Sequence, residues 1–599
     1  MRLIADIETN GLLHDVTVIH CLVAKDADTG KVSTFHGGAI EDGIKLLQQA
    51  DHLIFHNGLD YDLPVIQKLY PWFSFDFKKV TDTLVISRLF FPDLLTRDGG
   101  HVKAGRLPAK RVGSHALEAW GMRLGVLKGD YAEEFKAAWV ANNPDQKYPD
   151  GLEWAEFSTA MLEYCVQDVE VTETLYNHFS ALEYSQQAIE IEHEVRQYCS
   201  MMTRSGWPFN TQAAVELYSK LAAERDAIRQ QMLDTFPPLV IERFSEKTGK
   251  RLKDRIVEFN PGSRDQIAQR LIVKYGWEPK AFTEGGKPQI DETILEKLDY
   301  PEAKFLSHYF LLEKRIGQLA EGNQAWLKHE RKGHIHHSIN TNGAVTGRCT
   351  HSWPNVAQVP TVRALWGKEC RGLWGVRPGF RQVGVDLSGI ELRCLAHYMA
   401  RWDQGAYGEV ILNGDIHTVN QEAAGLPTRD NAKTFIYGWL YGAGDAKIGS
   451  IVGKGAKEGK KLKESFLRKL PALGSLKKAV DKAAERGFLI GLDGRRVPVR
   501  HKHAALNTLL QGAGALIAKQ WLIECFHEAE RRGFKYGWDR DFTLLGWVHD
   551  ELQWAVKEGS EEAFGEMVAG CARKAGDYFK FKCPVDAEFK TGASWADCH

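Results

Sequence analysis

Carboxylates set within or at the end of apolar strands most limit what this chain can become. Residues 1–8 read as a strand ending in Asp6 and Glu8. Strand alternation puts both side chains on one face. Two like charges side by side repel unless a cation lies between them, so the pair reads as part of a metal site. Asp62 follows the strand-like HLIFHN and Gly58, and Asp168 lies in EYCVQDVEVT with Tyr164 one helical turn earlier. Each acid alone reads as a solvated surface charge. Four acids and a tyrosine from three segments instead read as a site for two divalent ions. One ion would activate water and the other would stabilise the leaving oxygen of a phosphodiester.

The device recurs downstream. FRQVGVDLSGIELRCLAHYMAR (380–401) runs from an apolar strand through a Ser-Gly turn into a helix. Asp386 ends that strand, and the Leu387 carbonyl offers another hard oxygen. TLLGWVHDELQWAV (543–556) reads as a hairpin carrying His549, Asp550 and Glu551 at its tip. If the strands pair, Asp386 and Asp550 face one pair of ions, which would activate an attacking hydroxyl and clamp a triphosphate in line. Between them, PTRDNAKTFIYGWLYGAGD (427–445) spaces Arg429, Lys433, Tyr437 and Tyr441 four apart. A helix face that is cationic and then aromatic suits a triphosphate and a base. The alternative is an amphipathic helix with two core tyrosines.

The remaining sequence narrows the class. The 599 residues are enough for three to five structural units at roughly 100–200 residues each and are 44% hydrophobic and 26% charged, as in folded soluble proteins. No apolar run reaches the roughly 18 residues of a membrane span. The acids of MRLIADIETNGLL replace the apolar stretch of a secretion signal. Ten scattered cysteines without a CxxC pair point to reduced thiols in a cytosol-like compartment. Net charge is −1, so charge argues only locally, where 454–486 is basic. Residues 1–182 read as mixed α/β and 183–330 as mainly helical, with long helices over 212–235 and 302–328 and a helix over 114–124 capped by Ser114. His334, His336, His337 and His351 read as a strand entering the next domain, with zinc as the weaker alternative. No phosphate-binding GxxxxGK[ST] loop is present, and Ser114, Ser352 and Ser388 sit in no hydrolase-like motif.

On DIETNGLL, HNGLDYD, GSHALEAWG, NTNGAVTGRCTH, DLSGIELRCLAH, the 427–445 segment, HAALNTLLQ, VHDEL and WADCH, the chain resembles the family A DNA polymerases. Within that family it is similar to the replicative enzymes of short-tailed phages of the T-seven group. The resemblance covers nearly the whole chain. It implies an α/β multidomain architecture: an RNase H-like 3′-5′ exonuclease domain (1–182) followed by a right-hand polymerase. The thumb would be 183–333, the palm 334–403 and 507–599, and the fingers 404–506.

The resemblance also implies roles. Asp386, Leu387 and Asp550 would hold the palm ions, and Asp6, Glu8, Asp62 and Asp168, with Tyr164, the exonuclease ions. The ions would be Mg2+, two per site, with Mn2+ able to substitute. Lys433, Arg429 and His417 would meet the triphosphate. Tyr437 would lie beside the incoming sugar and base, Tyr441 at the nascent pair, and Glu391 against a ribose 2′-hydroxyl. Arg348, His503, Asn507 and Gln511 would follow the primer–template minor groove, with His549 at the primer end. The implied partners are primer–template DNA, dNTPs, a helicase-primase and a single-strand binding protein in a bacterial host cytoplasm, with the chain catalytic as a monomer. There are two departures. The long thumb insertion that recruits thioredoxin in those phage enzymes is replaced by a short linker at about 235–260, so thioredoxin is not expected as a partner. The basic segment before GLDGR is also shorter.

Three other functions compete. A repair nuclease with a vestigial polymerase half would have lost Asp386, Asp550 or Lys433. A single-subunit RNA polymerase lacks the Glu391 gate and the exonuclease. A DNA-clamping scaffold needs neither acid cluster.

Overall fold

The computed structural model describes residues 1–126, 129–245 and 247–598; His599, the last residue of WADCH, lies outside them. The chain divides into two compact units. The larger comprises Met1–Ser205, Ile339–Thr350 and Val383–Thr591, and the smaller comprises Gly206–Ser338, His351–Gln382 and the segment from Gly592.

The larger unit begins with a five-stranded sheet. Its order is Val32–His36, Ile19–Asp26, Arg2–Thr9, His52–Phe55 and Val80–Asp82. The first three strands run antiparallel and the last two pair in parallel. Along Arg2–Thr9 the odd residues Leu3, Ala5 and Ile7 enter one apolar cluster with Leu63, Val65 and Ile66 of helix Asp62–Leu69. Ile4, on the even face, packs with Met161, Cys165 and Val169 of helix Thr159–Ser180. That helix is capped by Ser158, whose Oγ accepts from Met161 N at 3.1 Å. Period-two alternation thus puts Asp6 and Glu8 on the face this helix covers.

A second sheet lies mostly in the same unit, ordered Phe542–Val548, Glu551–Lys557, Phe380–Leu387 and Ala587–Gly592. Helix Ala505–Arg531, buried along most of its length, packs with these strands and with helix Gln186–Ser205 in one continuous core.

The smaller unit is built on helices Thr211–Thr235 and Pro301–Ile316 and on interlocking buried indoles. Trp207 lies 5.2 Å from Trp374 and 4.9 Å from Trp595, ring centre to ring centre.

Three sequence expectations change. The interval read as a linker is an antiparallel hairpin, Leu239–Phe244 with Arg251–Val257. Val240, Ile241, Leu252 and Ile256 supply the β-propensity, and Gly249 at φ +64° makes the turn. The helix read over 302–328 ends at Ile316, is followed by a π-helical turn Gly317–Glu321, and resumes only at Trp326–His329. The helix expected from Ser114 starts at Leu117; Ser114 Oγ accepts from Ala116 N at 3.3 Å, making a local turn ahead of it. Among the described residues, no helix is long and apolar enough to cross a membrane.

Candidate active sites

In the N-terminal sheet, one donor atom each from Asp6, Glu8 and Cys165 lie within 4.8 Å of one another. Cys165, buried on the helix covering the sheet, points its Sγ at the Asp6 carboxylate (3.4 Å) and carbonyl (3.5 Å). Burial pushes its thiol well above the usual range, so it stands as a protonated donor beside the carboxylates. Asp62, at the first turn of its helix, accepts from Ile7 N at 3.3 Å on the same strand. Burial, and then the neighbouring Asp82 and Asp168 charges, push Asp62 up to about 7. Asp168 is itself buried. Asp6 and Glu8, with Cys165, form a close donor group that fits a divalent cation, whereas Asp62 and Asp168 are not part of that close group. Tyr164 is half-buried, its ring 5.9 Å from that of Tyr131. Cys165 and Asp82 carry no sequence signal. Asp82 accepts from Asn57 N and Leu59 N, fixing the loop ahead of Asp62.

The second acid set lies at one end of the second sheet. Val548 pairs with Glu551, so His549-Asp550 is a two-residue turn. His549 takes φ +58°, and its carbonyl accepts from Trp547 Nε1 at 2.8 Å. Asp386 projects into solvent near the end of its strand. Leu387 N donates to the Asp550 carbonyl at 3.0 Å, holding the turn against that strand. Gly389, at φ +55°, reverses the chain into helix Ile390–Asp403, which carries Glu391 in its first turn.

The result is a cavity of about 490 Å³ lined by Arg348, Asp386, Leu387, Glu391, Tyr437, Tyr441, Lys519, Trp547, His549 and Asp550. Burial raises the Asp550 carboxyl, with Glu391 adding to the effect. Burial and the Glu391 and Asp550 charges raise the Tyr437 phenol, and burial lowers the His549 imidazole. Two carboxylates and the Leu387 backbone at one mouth form a hard, oxygen-rich donor set suited to Mg2+.

The helix of the four-residue series spans Arg429–Leu440, so Tyr441 sits at its end. Tyr437 and Tyr441 reach the cavity; Arg429 and Lys433 are exposed further back on that helix and do not line it. Arg429 Nε donates to Asp415 Oδ2 at 2.6 Å. Asp415 caps the neighbouring helix through His417 N (3.0 Å) and Thr418 N (3.4 Å), and Arg429 holds its carboxyl far below the usual range. Burial, and then Arg429, lower His417. Asp415 was not expected from sequence. Its position before Ile416-His417-Thr418 is the capping signal that could have found it. His503, Asn507 and Gln511 lie outside the cavity lining, at the start of the long helix, where Gln511 Nε2 donates to Asn507 Oδ1 at 3.1 Å.

Acid-tipped strands sharing a cavity with the aromatic end of a helix fit a metal-dependent nucleotide-polymerising enzyme. The sequence profile of DNA polymerase family A matches residues 240–597, and the chain belongs to that family. It is 40% identical to the DNA-directed DNA polymerases of Enterobacteria phage T3 and Escherichia phage T7, over the full length of this chain and of each relative. It is 28% identical to the thermostable DNA polymerase I of Thermus aquaticus over 56% of this chain and 42% of that one. The fold matches the polymerase domain of Pol1 from M. smegmatis, solved with DNA primer-template and dNTP. That match has a TM-score of 0.71 and 17% identity, and it covers 99% of this chain and 95% of that one.

Proposed function

We propose that this chain copies DNA on a primer–template and removes misincorporated nucleotides with a second, N-terminal 3′-5′ exonuclease site. The observation that carries the reading is the shared cavity of Asp386, Asp550, Glu391 and Tyr437. Two Mg2+ bound at Asp386, Asp550 and the Leu387 carbonyl would supply Lewis acidity toward the primer 3′-hydroxyl and the triphosphate, and two at Asp6, Glu8, Asp62 and Asp168 the same toward a phosphodiester. Lys433 and Arg429 neutralise the triphosphate, His417 contacts a phosphate, Tyr437 orients the sugar and base, and Glu391 occupies the space of a 2′-hydroxyl. Arg348, His503, Asn507 and Gln511 track the minor groove, and His549 meets the primer end. Tyr164 completes the exonuclease site beside these acids.

On this reading 1–182 is the exonuclease, 183–333 the thumb, 334–403 with 507–599 the palm, and 404–506 the fingers. The chain works as a monomer in a host bacterial cytoplasm, beside a helicase-primase and a single-strand binding protein. Thioredoxin is not expected as a partner, a reading supported by the short hairpin of Leu239–Phe244 and Arg251–Val257 in place of a long thumb insertion. Primer extension with Mg2+ and either dNTPs or rNTPs tests the reading. Template-dependent extension with dNTPs alone is expected; no extension, or equal use of rNTPs, would overturn it.

A further inference from the structure

Beneath the polymerase cavity lies a cluster of charged groups that none of these roles uses. Lys519, Glu192, Asp493 and Arg495 are buried, as is Asn342. Lys519 donates to Glu192, and Arg495 Nη1 lies 2.7 Å from the same Glu192 oxygen. Arg495 also chelates Asp493, at 2.9 Å through Nε and 2.7 Å through Nη2. Two cations thus balance two acids inside an otherwise apolar core. Such a group is a poor source of stability compared with apolar packing, so its geometry matters more than its charge.

Both cations converge on one neutral atom. Lys519 Nζ and Arg495 Nη1 each donate to Asn342 Oδ1 at 3.3 Å. Asn342 opens a turn closed by Gly347 N to Ala344 O (2.9 Å) and Ala344 N to Arg348 O (3.1 Å). The far end of the turn rests on the same platform. Gly347 adopts φ +80°, and a Cβ there would stand 3.0 Å from Arg495 Nη1 and 3.9 Å from Lys519 Nζ. The next residue, Arg348, reaches Glu391 at 3.2 Å across the cavity.

We infer that Lys519 is a positioning residue of the nucleotide cavity: with Arg495 it clamps the Asn342–Gly347 turn from below and so fixes where Arg348 meets Glu391. Lys519 lines the floor of the cavity, but its ammonium is spent on Glu192 and Asn342, so it acts through Arg348. The inference rests on the polymerase reading of the cavity.

Three substitutions, Lys519→Met, Asn342→Ala and Arg348→Ala, and the two doubles containing Arg348→Ala, test it in the full chain. The readout is kcat/KM for a correct dNTP on a matched primer, with single-strand degradation by the same preparations as the folding control. Lys519→Met and Asn342→Ala are each expected to lose about tenfold in kcat/KM when Arg348 is present, and under about twofold when Arg348 is already alanine. Losses that multiply in the doubles, or no loss in either single variant, would overturn the inference. Should Lys519→Met fail to fold, Asn342→Ala carries the same test, because it keeps all four charges. A parent chain that extends no primer sinks the polymerase reading and this inference together. Multiplying losses on an active parent sink this inference alone.

Discussion

Tyr441 donates its phenolic hydrogen to the same Glu391 carboxylate oxygen that accepts from Arg348 Nη2. Glu391 is therefore held from two sides, at the position where the proposed function places the incoming sugar. Burial and the hydrogen bond push the Tyr441 phenol up to about 12, so it stays a donor at any working pH. Tyr441 is 48% exposed, which keeps its bond in the ordinary range of about 0.5–1.5 kcal/mol. Tyr441→Phe should raise ribonucleotide use by about two- to tenfold. Glu391→Ala, which empties the space itself, should raise it more. Competition between rNTP and dNTP at one template position measures both; a Tyr441→Phe chain as selective as the parent would show that Arg348 alone holds the carboxylate.

Polymerisation and degradation should separate by mutation, because the two acid sets sit on different sheets. Asp386→Ala or Asp550→Ala should abolish extension and spare degradation of single strands. Asp6→Ala with Glu8→Ala should do the reverse. Degradation at the parental rate by the Asp6/Glu8 variant would remove the exonuclease assignment.

Arg429 spends its charge on Asp415 in this structure, a contact that a triphosphate bound as proposed would have to displace. Asp415→Asn keeps an oxygen to cap the helix and removes the charge. Exposed pairs of this kind contribute little, so KM for dNTPs should fall by no more than about fivefold with little change in kcat. An unchanged or higher KM in steady-state extension would mean that Arg429 does not meet the triphosphate.

The strands and turn that carry acids were visible in the sequence because their signals are local. Asp6 and Glu8 alternate within one strand, Asp386 ends an apolar run, and His549-Asp550 interrupts two. The partners of those acids were not visible. Cys165 meets Asp6 across 159 positions, and Arg495 meets Glu192 from a still more distant segment. No periodicity encodes a pairing made by packing one helix on one sheet. Local signals also failed where two readings competed. The interval at about 235–260 looked like a linker, but its β-branched residues form a hairpin. Tyr441 continued a four-residue series that the helix itself ends one residue sooner.

Acid should loosen the N-terminal domain through His115. Trp120 Nε1 donates to Ser87 Oγ at 2.7 Å, which leaves the Ser87 hydroxyl hydrogen for His115 Nδ1 at 2.6 Å. The imidazole is needed in its neutral form, and burial, followed by the Arg88 and Arg123 charges, lowers it to about 3. An unfolded histidine titrates near 6.5. Stability from the neutral form is therefore complete above about pH 6.5 and is lost as pH falls from there toward 3, by up to about 1.4 kcal/mol per pH unit. His115→Asn, which keeps an acceptor but cannot take up the proton, should flatten that part of the pH dependence. The first urea transition at pH 7.5, 6 and 5 gives the comparison; parallel slopes for parent and variant would exclude His115 as the acid-labile group.

Sugar selection should be lopsided, strong against a 2′-hydroxyl and weak against a missing 3′-hydroxyl. Tyr437 is half-buried in the cavity beside Glu391 and Asp550, whose charges help keep its phenol protonated. A phenylalanine there would offer nothing polar, and the substrate's own 3′-hydroxyl would be needed to complete the hydrogen bonds around its phosphates. The Tyr437 hydroxyl can take over that bond when the 3′-hydroxyl is absent. A hydrogen bond to a charged phosphate oxygen contributes about 1.5–3 kcal/mol. Tyr437→Phe should therefore lower dideoxynucleotide use by roughly ten- to a hundredfold and leave dNTP use nearly unchanged. The comparison belongs in an Asp6→Ala/Glu8→Ala background, where no terminator is excised. Termination frequencies from ddNTP–dNTP competition decide it. Equal frequencies for the parent and the Tyr437→Phe chain would mean that the phenolic oxygen does not replace the 3′-hydroxyl.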